Sequence, residues 1–483
     1  MHFGIVDNTI HPSDARKNAM SKCNVLLITA DDMNCDTVGA FGCPIAGTTP
    51  NLDQLAAEGM CFDHAHVAIA VCQPSRSAMM TGCYPHITGG EGFYNLRHPD
   101  IPILPALLRD AGYDVGILGK VGHSTPYADF QWDTCYDLQA LGHGRNPSVY
   151  AKYFETFINQ ATDADRPFFM MLNSHDPHRA FYGNDPAQWY EDAIPAVKPS
   201  RVFTPDESFV PGFLPDLPEV RLEISEYLSS VRRCDDTVGA VMQVLKQTGQ
   251  LDNTLILFLS DNGMAFPFAK TNCYLHSTHT PLIARYPKSQ VSGKRDTEHF
   301  VSGIDLMPTI LDAAGVDVPG HVNGKTFLPL LKGEKQDGRE KVFTQFHQTA
   351  GRRNYPMRCV QNKRFGYIFN AWSDGKAEFR NESMSGRTFN AMAEAAVNDP
   401  AIKARVDLFV HRVPEELYDF ENDPDALNNL IDDPQYQNVR EELRSQLRQW
   451  MIQTNDPALA FFENPTDETL RPELLSLFTS PSF

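Results

Sequence analysis

The chain has 483 residues, of which 42% are hydrophobic, enough for one large domain and a smaller one. Its 61 acidic and 42 basic residues give a formal net charge of −19, which argues against nucleic acid and anionic membranes as partners. An anionic substrate would therefore have to be held in a local basic pocket, and this favours small substrates or chain ends.

The ten cysteines are scattered, without a paired or zinc-type spacing, and are expected to be mostly reduced thiols. Residues 1–22 are predicted to form a polar N-terminal extension, because they lack the apolar segment of a signal peptide. No stretch approaches the roughly 18 apolar residues of a membrane helix. We therefore expect a cytoplasmic protein.

Four short apolar runs predict central parallel strands, because strands buried on both faces lack a polar–apolar alternation. Helical patterns follow Pro50, begin at Leu104 and extend from about Glu219 to Gln247. Strands that alternate with helices predict an α/β fold with a doubly wound, mainly parallel sheet. The four predicted strand segments are residues 24–32, 113–123, 167–179 and 254–263.

From about Gly333 the pattern changes to short runs typical of antiparallel strands, followed by a polar amphipathic helix. This change predicts a smaller C-terminal α+β domain that contains an antiparallel sheet. The predicted boundaries are 23–335 for the large domain and 336–483 for the small one.

Polar groups follow each of the four predicted central strands. Ligands of such sheets bind beyond the carboxyl ends of the strands, so we expect these groups to meet there. A single aspartate at a strand end is more often a turn or a helix cap, but four such ends together indicate a site. In chain order the groups are Asp31 with Asp32, Lys120 with His123, His175 with His178, and Asp261 with Asn262.

The two aspartate-containing pairs offer only hard oxygen ligands, which suit Ca²⁺ or Mg²⁺ better than zinc. A hard dication beside lysine and histidine predicts a site for an anionic group such as phosphate or sulfate.

Cys72 lies in the stretch AVCQPSRSAMMTG, which has a helical pattern after the cysteine. Cys72 would then lie at a helix N-terminus, with Arg76 on the same face one turn later. Considered alone, the cysteine is more often a buried and inert thiol.

The run Cys72-x-Pro74-x-Arg76, continuing to Thr81-Gly82, resembles the signature of the sulfatase family. The aspartate pair after the first strand and Asp-Asn-Gly after the last strengthen the resemblance, which extends over nearly the whole chain after residue 22. It implies an alkaline-phosphatase-like architecture and a hydrolase of sulfuric esters or sulfamates. It also implies that a maturation enzyme, as a partner, oxidises Cys72 to formylglycine.

The resemblance also implies roles for individual residues. Ca²⁺, with Mg²⁺ as the alternative, would bind the modified residue 72 and four further ligands: Asp31, Asp32, Asp261 and Asn262. Arg76 would fix the aldehyde hydrate, Lys120 and Lys270 would hold sulfate oxygens, and His178 would protonate the leaving group. His123 would deprotonate the hydrate to expel sulfate.

One spacing departs from most of the family, which has Lys-x-His where this chain has Lys120-Val-Gly-His123. The longer spacing is similar to that of the iduronate-2-sulfatase branch.

Three stretches resemble the sulfamidase branch, namely SHDPHR, SDNGMAFPFAKTNCY and YPMRCVQ. That branch usually has arginine where this chain has Lys270. The positive charge is therefore kept, but the bidentate hydrogen bonding of a guanidinium is lost. Candidate substrate contacts within or beside these stretches are Arg179, His276 and Arg358.

We therefore expect a sulfamidase that acts on N-sulfated glucosamine or its glycoside. The alternatives are an O-sulfatase for aryl or sugar esters, a phosphonate monoester or phosphodiester hydrolase, and a non-catalytic binding protein. The expected partners are a small sulfated substrate and the maturation enzyme, with neither nucleic acid nor a membrane. A homodimer is a further expectation.

Overall fold

The computed structural model describes residues 22–98, 100–184, 196–467 and 469–478. The predicted N-terminal extension, except Lys22, lies outside the described residues. The strands, in chain order, are β1 Asn24–Ala30, β2 Met60–His66, β3 Asp114–Leu118, β4 Thr134–Tyr136, β5 Phe168–Asn173, β6 Thr254–Ser260, β7 Leu282–Arg285, β8 Lys294–Ser302, β9 Lys341–Gln348, β10 Asn354–Asn362, β11 Phe365–Asn370 and β12 Glu415–Asp419.

The predicted helices are confirmed as the first, fourth and seventh α-helices, and the helix that was expected to start at Cys72 is the second. The α-helices, in chain order, are α1 Pro50–Glu58, α2 Cys72–Thr81, α3 Pro85–Thr88, α4 Leu104–Asp110, α5 Val121–Ser124, α6 Pro147–Asp163, α7 Pro218–Gln247, α8 Leu275–Thr278, α9 Leu306–Ala314, α10 Leu328–Leu331, α11 Arg387–Ala395, α12 Pro400–His411, α13 Gln437–Gln453, α14 Leu459–Glu463 and α15 Leu470–Leu477. None of the helices in the described part of the chain is long and apolar enough to cross a membrane.

The large sheet has eight strands in the order β4-β3-β5-β1-β6-β7-β2-β8. All neighbouring pairs are parallel except those of β7, which is antiparallel to β6 and to β2. The predicted mainly parallel α/β fold is therefore confirmed. The four predicted central strands are β3, β5, β1 and β6, and they lie next to one another.

Helices cover both faces of this sheet, as its residue pattern requires. Leu26 and Ile28 of β1 pack in a core with α6 and α7, whereas Val25 and Leu27 pack in a second core with α4 and α9. Consecutive residues of a strand point to opposite faces, so an uninterrupted apolar run is needed when both faces are covered.

The second sheet is antiparallel, in the order β12-β11-β10-β9, and packs against α13 through Leu447 and Trp450. The backbone N–H of Gln345 in β9 donates to the carbonyl of Ala68 at 2.9 Å. This bond ties the small sheet to the segment that leads into α2, so residues from both sheets can reach one site. The predicted domain boundary between residues 335 and 336 stays a prediction.

Candidate active site

The carboxyl ends of β3, β5, β1 and β6 form one edge of the large sheet and carry the polar groups predicted from the sequence. The residues that turn the chain there have unusual backbone conformations: φ is 70° at Asp32 and 50° at Lys120. Non-glycine residues adopt such values at a cost, which is common where side chains are held for function.

Three carboxylates lie together at this edge. Asp31, Asp32 and Asp261 are 0% exposed, and one carboxylate oxygen from each lies within 4.8 Å of the others. Asn262 donates from Nδ2 to Asp32 Oδ1 at 2.7 Å, and its buried Oδ1 has no hydrogen-bond partner among the described residues.

Burying several carboxylates together is costly unless a cation compensates their charge. An all-oxygen set with an unpaired amide oxygen aimed into the cluster suits a hard divalent cation such as Ca²⁺. The four residues therefore fit the metal that the sequence resemblance implied.

Cys72 is the first residue of α2, as predicted, and its Sγ lies 3.3 Å from Asp31 Oδ1 and 3.9 Å from Asp32 Oδ1. Burial and these carboxylates raise the pKa of the thiol well above its usual value. The unmodified side chain is consequently a protonated thiol and a poor nucleophile.

Arg76 fixes the position of this cluster. Its Nε donates to Asp261 Oδ2 at 2.8 Å, and its Nη2 lies 2.7 Å from the same oxygen in an ion pair. Its Nη1 donates to Thr29 Oγ1 at 2.7 Å and to Asn173 Oδ1 at 2.6 Å. The guanidinium therefore joins α2 to the ends of β1, β5 and β6. Thr29 and Asn173 lie within the apolar strands, without a motif of their own, and sequence reasoning missed them.

Lys120 contacts the carboxylate of Asp31. His123 lies three residues later on the single turn α5, which begins directly after Lys120 as its N-cap. The longer Lys-x-x-His spacing is thus accommodated by one turn of helix. Burial and the nearby Lys120 lower the pKa of His123 to about 3, and its buried Nδ1 has no hydrogen-bond partner among the described residues.

His178 Nδ1 lies 2.6 Å from the carbonyl oxygen of Arg179, which can only accept, so this nitrogen carries the proton in the neutral ring. Its Nε2 lies 4.0 Å from Asp32 Oδ2. The ring of His175 packs 5.0 Å from that of His178. Burial, and then the charge of Lys120, lower the pKa of His178 below its usual value.

Lys270 is fully buried; its Nζ donates to Asp32 Oδ2 at 2.9 Å and lies 2.7 Å from Oδ1 in an ion pair. Its ammonium also contacts Glu382, from a short turn between β11 and α11. Sequence reasoning missed Glu382 because it follows Lys270 by more than 100 residues and belongs to no motif.

A cavity of about 300 Å³ opens beside this cluster. It reaches from Val71, next to Cys72, to the turn with Glu382, so the large domain and the C-terminal part both line it. The lining residues are Val71, Thr271, Thr349, Ala350, Gly351, Arg353, Arg380, Asn381 and Glu382.

Arg358, expected as a substrate contact, lies inside the protein. Its side chain is 1% exposed and makes a bidentate ion pair with Asp456 at 2.5 and 2.8 Å. A guanidinium that is buried and paired in this way holds β10 to the segment after α13.

The other two substrate-contact candidates are also held by internal contacts. Arg179 pairs with Glu223 and donates to the carbonyl of Ala265 at 2.9 Å. His276 Nε2 lies 3.2 Å from Asp425 Oδ1, and its ring packs on Phe213. Neither side chain lines the cavity beside Cys72.

Solved structures share this architecture. The structure of BT4656 in complex with its substrate D-glucosamine-2-N,6-O-disulfate aligns with a TM-score of 0.68 and 20% identity, covering 92% of this chain and 100% of that one. Phosphonate monoester hydrolase of Agrobacterium radiobacter aligns with a TM-score of 0.65 and 20% identity, covering 91% and 97%. At this identity the likeness shows the fold, which is of the expected alkaline-phosphatase-like type.

Sequence relatives are more informative. Human N-sulphoglucosamine sulphohydrolase is 30% identical over 479 residues, covering 93% of this chain and 94% of that protein. N-acetylglucosamine-6-O-sulfatase of Bacteroides thetaiotaomicron is 23% identical, covering 92% of this chain and 89% of its own.

Family models agree with these relatives. The model described as Sulfatase matches residues 23–316, and the model described as N-sulphoglucosamine sulphohydrolase, C-terminal, matches residues 265–380. The first match includes Cys72, Arg76 and every residue of the carboxylate cluster. The chain is therefore a hydrolase that belongs to the sulfatase family.

Proposed function

We propose that the protein is a sulfamidase that releases sulfate from N-sulfated glucosamine or its glycoside, using Ca²⁺ and a formylglycine formed from Cys72. The observation that supports this substrate is the 30% identity to human N-sulphoglucosamine sulphohydrolase, which extends over 93% of the chain. The second family match, to residues 265–380, covers the loop with Lys270 and reaches Arg380 at the cavity.

The donor set supports the two cofactors. Asp31, Asp32, Asp261 and Asn262 would hold the calcium ion, which supplies positive charge for the sulfate oxygens. Once hydrated, an aldehyde at position 72 supplies an oxygen nucleophile, whereas the protonated thiol is a poor nucleophile.

The remaining chemistry belongs to side chains of this chain. Lys120 and Lys270 bind sulfate oxygens, and their charge stabilises the transferring group. Arg76 holds Asp261 and the first turn of α2 in a fixed position. His123 accepts a proton in this proposal as the site returns to its starting state; its buried Nδ1 has no hydrogen-bond partner among the described residues and is available for the transfer.

His178 is the general acid in this proposal. Its Nδ1 is held by a backbone carbonyl, which leaves Nε2 directed towards the site. A bound substrate anion next to the ring raises its pKa and favours the protonated form that can donate to the leaving nitrogen.

The test measures, in calcium, sulfate release from glucosamine N-sulfate and 4-nitrophenyl sulfate, and 4-nitrophenol release from the phosphonate monoester 4-nitrophenyl phenylphosphonate. The protein is co-expressed with a formylglycine-generating enzyme, and conversion of Cys72 is verified by peptide mass. We expect the highest kcat/KM on the N-sulfate and none in Cys72→Ala. A preference for the aryl ester refutes the substrate and keeps the chemistry, whereas a preference for the phosphonate refutes both.

An O-sulfatase is the second candidate, because the N-acetylglucosamine-6-O-sulfatase is also a relative over most of the chain. Glucosamine 6-O-sulfate is therefore included as a substrate in the same assay.

Three further expectations stay predictions: the maturation enzyme as a partner, a homodimer and a cytoplasmic location. Size-exclusion chromatography with light scattering tests the homodimer.

A further inference from the structure

Glu382 is the carboxylate that the site presents to the cavity. Its side chain is 32% exposed and lines the 300 Å³ cavity, whereas Asp31, Asp32 and Asp261 are 0% exposed. Asn381 donates from Nδ2 to Thr271 Oγ1 at 2.6 Å, which fastens the turn with Glu382 to the loop with Lys270.

The position of Glu382 is next to the proposed general acid. One ligand atom each of Asp32, His178 and Glu382 lies within 4.8 Å of the other two. Burial favours the neutral acid, but the charge of Lys270, whose ammonium contacts Glu382, holds the pKa of Glu382 below its usual value. Glu382 is thus a carboxylate at neutral pH, beside the group that protonates the departing atom.

Lys270 contacts two carboxylates, those of Asp32 and Glu382, and its single positive charge cannot neutralise both. Asp32 already pairs with this ammonium, with Oδ1 at 2.7 Å and Oδ2 at 2.9 Å from Nζ. A second carboxylate facing the cavity would repel a sulfate group, unless the substrate brings a compensating positive charge.

The nitrogen of an N-sulfate develops such a charge during cleavage and carries it in the ammonium product, whereas the oxygen of an O-sulfate ends uncharged. In sulfamate cleavage the nitrogen takes a proton, becomes positively charged, and leaves with the electron pair of the N–S bond. The sulfur gains an oxygen that is ultimately derived from water, and the amine takes up a further proton. In ester cleavage the oxygen leaves as a neutral alcohol.

We propose that Glu382 is a specificity-determining residue, which stabilises the positive charge on the leaving nitrogen and then binds the ammonium product. This inference rests on the proposed sulfamidase function. It assigns the N-sulfate selectivity to a residue outside the sulfatase signature, in the C-terminal part of the chain.

The first test compares wild type and Glu382→Gln, both with converted Cys72, on glucosamine N-sulfate and 4-nitrophenyl sulfate. We expect kcat/KM on the N-sulfate to fall about 10- to 100-fold and that on the aryl ester to change less than about threefold. Glu382→Asp should restore part of the N-sulfate activity. Glu298→Gln, which removes a surface carboxylate that is 72% exposed, is the matched control.

The outcomes separate the two proposals. Equal losses on both substrates mean a structural role and overturn the inference about Glu382, as does an unchanged N-sulfate rate. A wild-type protein that cleaves the aryl ester and not the N-sulfate overturns the proposed substrate and, with it, the role of Glu382.

The second test measures binding, which does not depend on turnover. Calorimetry in calcium compares glucosamine, a cationic product, with neutral N-acetylglucosamine. We expect wild type to bind glucosamine at least about fivefold more tightly and Glu382→Gln to lose that preference. A preference that persists in the variant overturns the inference.

Discussion

Arg76 contacts a single carboxylate oxygen of Asp261 through two nitrogens: its Nε donates a hydrogen bond at 2.8 Å, and its Nη2 lies 2.7 Å away in an ion pair. Both side chains are 0% exposed, so the pair lies in a region that water does not reach. The other oxygen of Asp261 accepts the backbone N–H of Asp32 at 3.2 Å. The pair therefore fixes the cluster at the ends of β1 and β6.

We predict that Arg76→Lys lowers the free energy of unfolding by about 1–3 kcal/mol, because lysine keeps the charge and leaves buried acceptors unpaired. The urea midpoint of the calcium-loaded protein measures this. Arg448→Lys, in a pair with Glu463 whose side chains are 43% and 34% exposed, is the control and should leave the midpoint unchanged. An Arg76→Lys variant as stable as wild type would show that the guanidinium contacts of Arg76 are not needed for stability.

We predict that calcium stabilises the protein through the carboxylate cluster. A ligand that binds only the folded state adds about 2.7 kcal/mol at 100 times its Kd, so calcium should raise the melting temperature and a chelator should lower it. Asp261→Asn should abolish this response, whereas Asp252→Asn, whose side chain is 93% exposed, should retain it. A calcium response that survives in Asp261→Asn contradicts the assignment.

We predict an acid-labile contribution to stability from His279. Burial lowers its pKa to about 4, from the usual 6.5, and its Nε2 lies 2.9 Å from the Asp63 carbonyl. The unfolded chain thus binds a proton near pH 6.5 that the folded chain binds only near pH 4, so stability falls on acidification between these values.

His279→Gln keeps a donor for that carbonyl and cannot titrate. The dependence of the unfolding free energy on pH between 6.5 and 4 should therefore be shallower in this variant. Some dependence should persist, because burial also lowers the pKa of His66 and His64. An identical slope in wild type and variant would show that His279 is protonated in the folded protein.

We predict that Arg358 matters for stability and not for substrate binding. Arg358→Leu should cost about 3–5 kcal/mol, because it leaves Asp456 buried without a counter-charge. Replacing both residues with leucine should recover most of this loss. Urea unfolding measures both effects, and the KM for the sulfated substrate should stay within twofold of wild type in the folded double variant. A large rise in KM would show that Arg358 does contribute to substrate binding.

The sequence by itself determined the mainly parallel sheet and the polar groups at its edge. An uninterrupted apolar run requires burial on both faces, and parallel strands bring their carboxyl ends to one side. For this reason Asp31, Lys120, His178 and Asp261 could be expected to meet before the structure was considered. The start of α2 at Cys72 likewise follows from local sequence.

Only the tertiary structure decided which side chains outside those strand ends reach the site. Arg358 and Glu382 both belong to the C-terminal part, and a short pattern does not show which charged residue faces inward. A partner 98 residues away, Asp456, holds Arg358 inside the protein. Docking of the second sheet onto the segment before α2 brings Glu382 to Lys270. Contacts between distant segments depend on packing rather than on local periodicity, and that packing determines which side chains line the cavity beside Cys72.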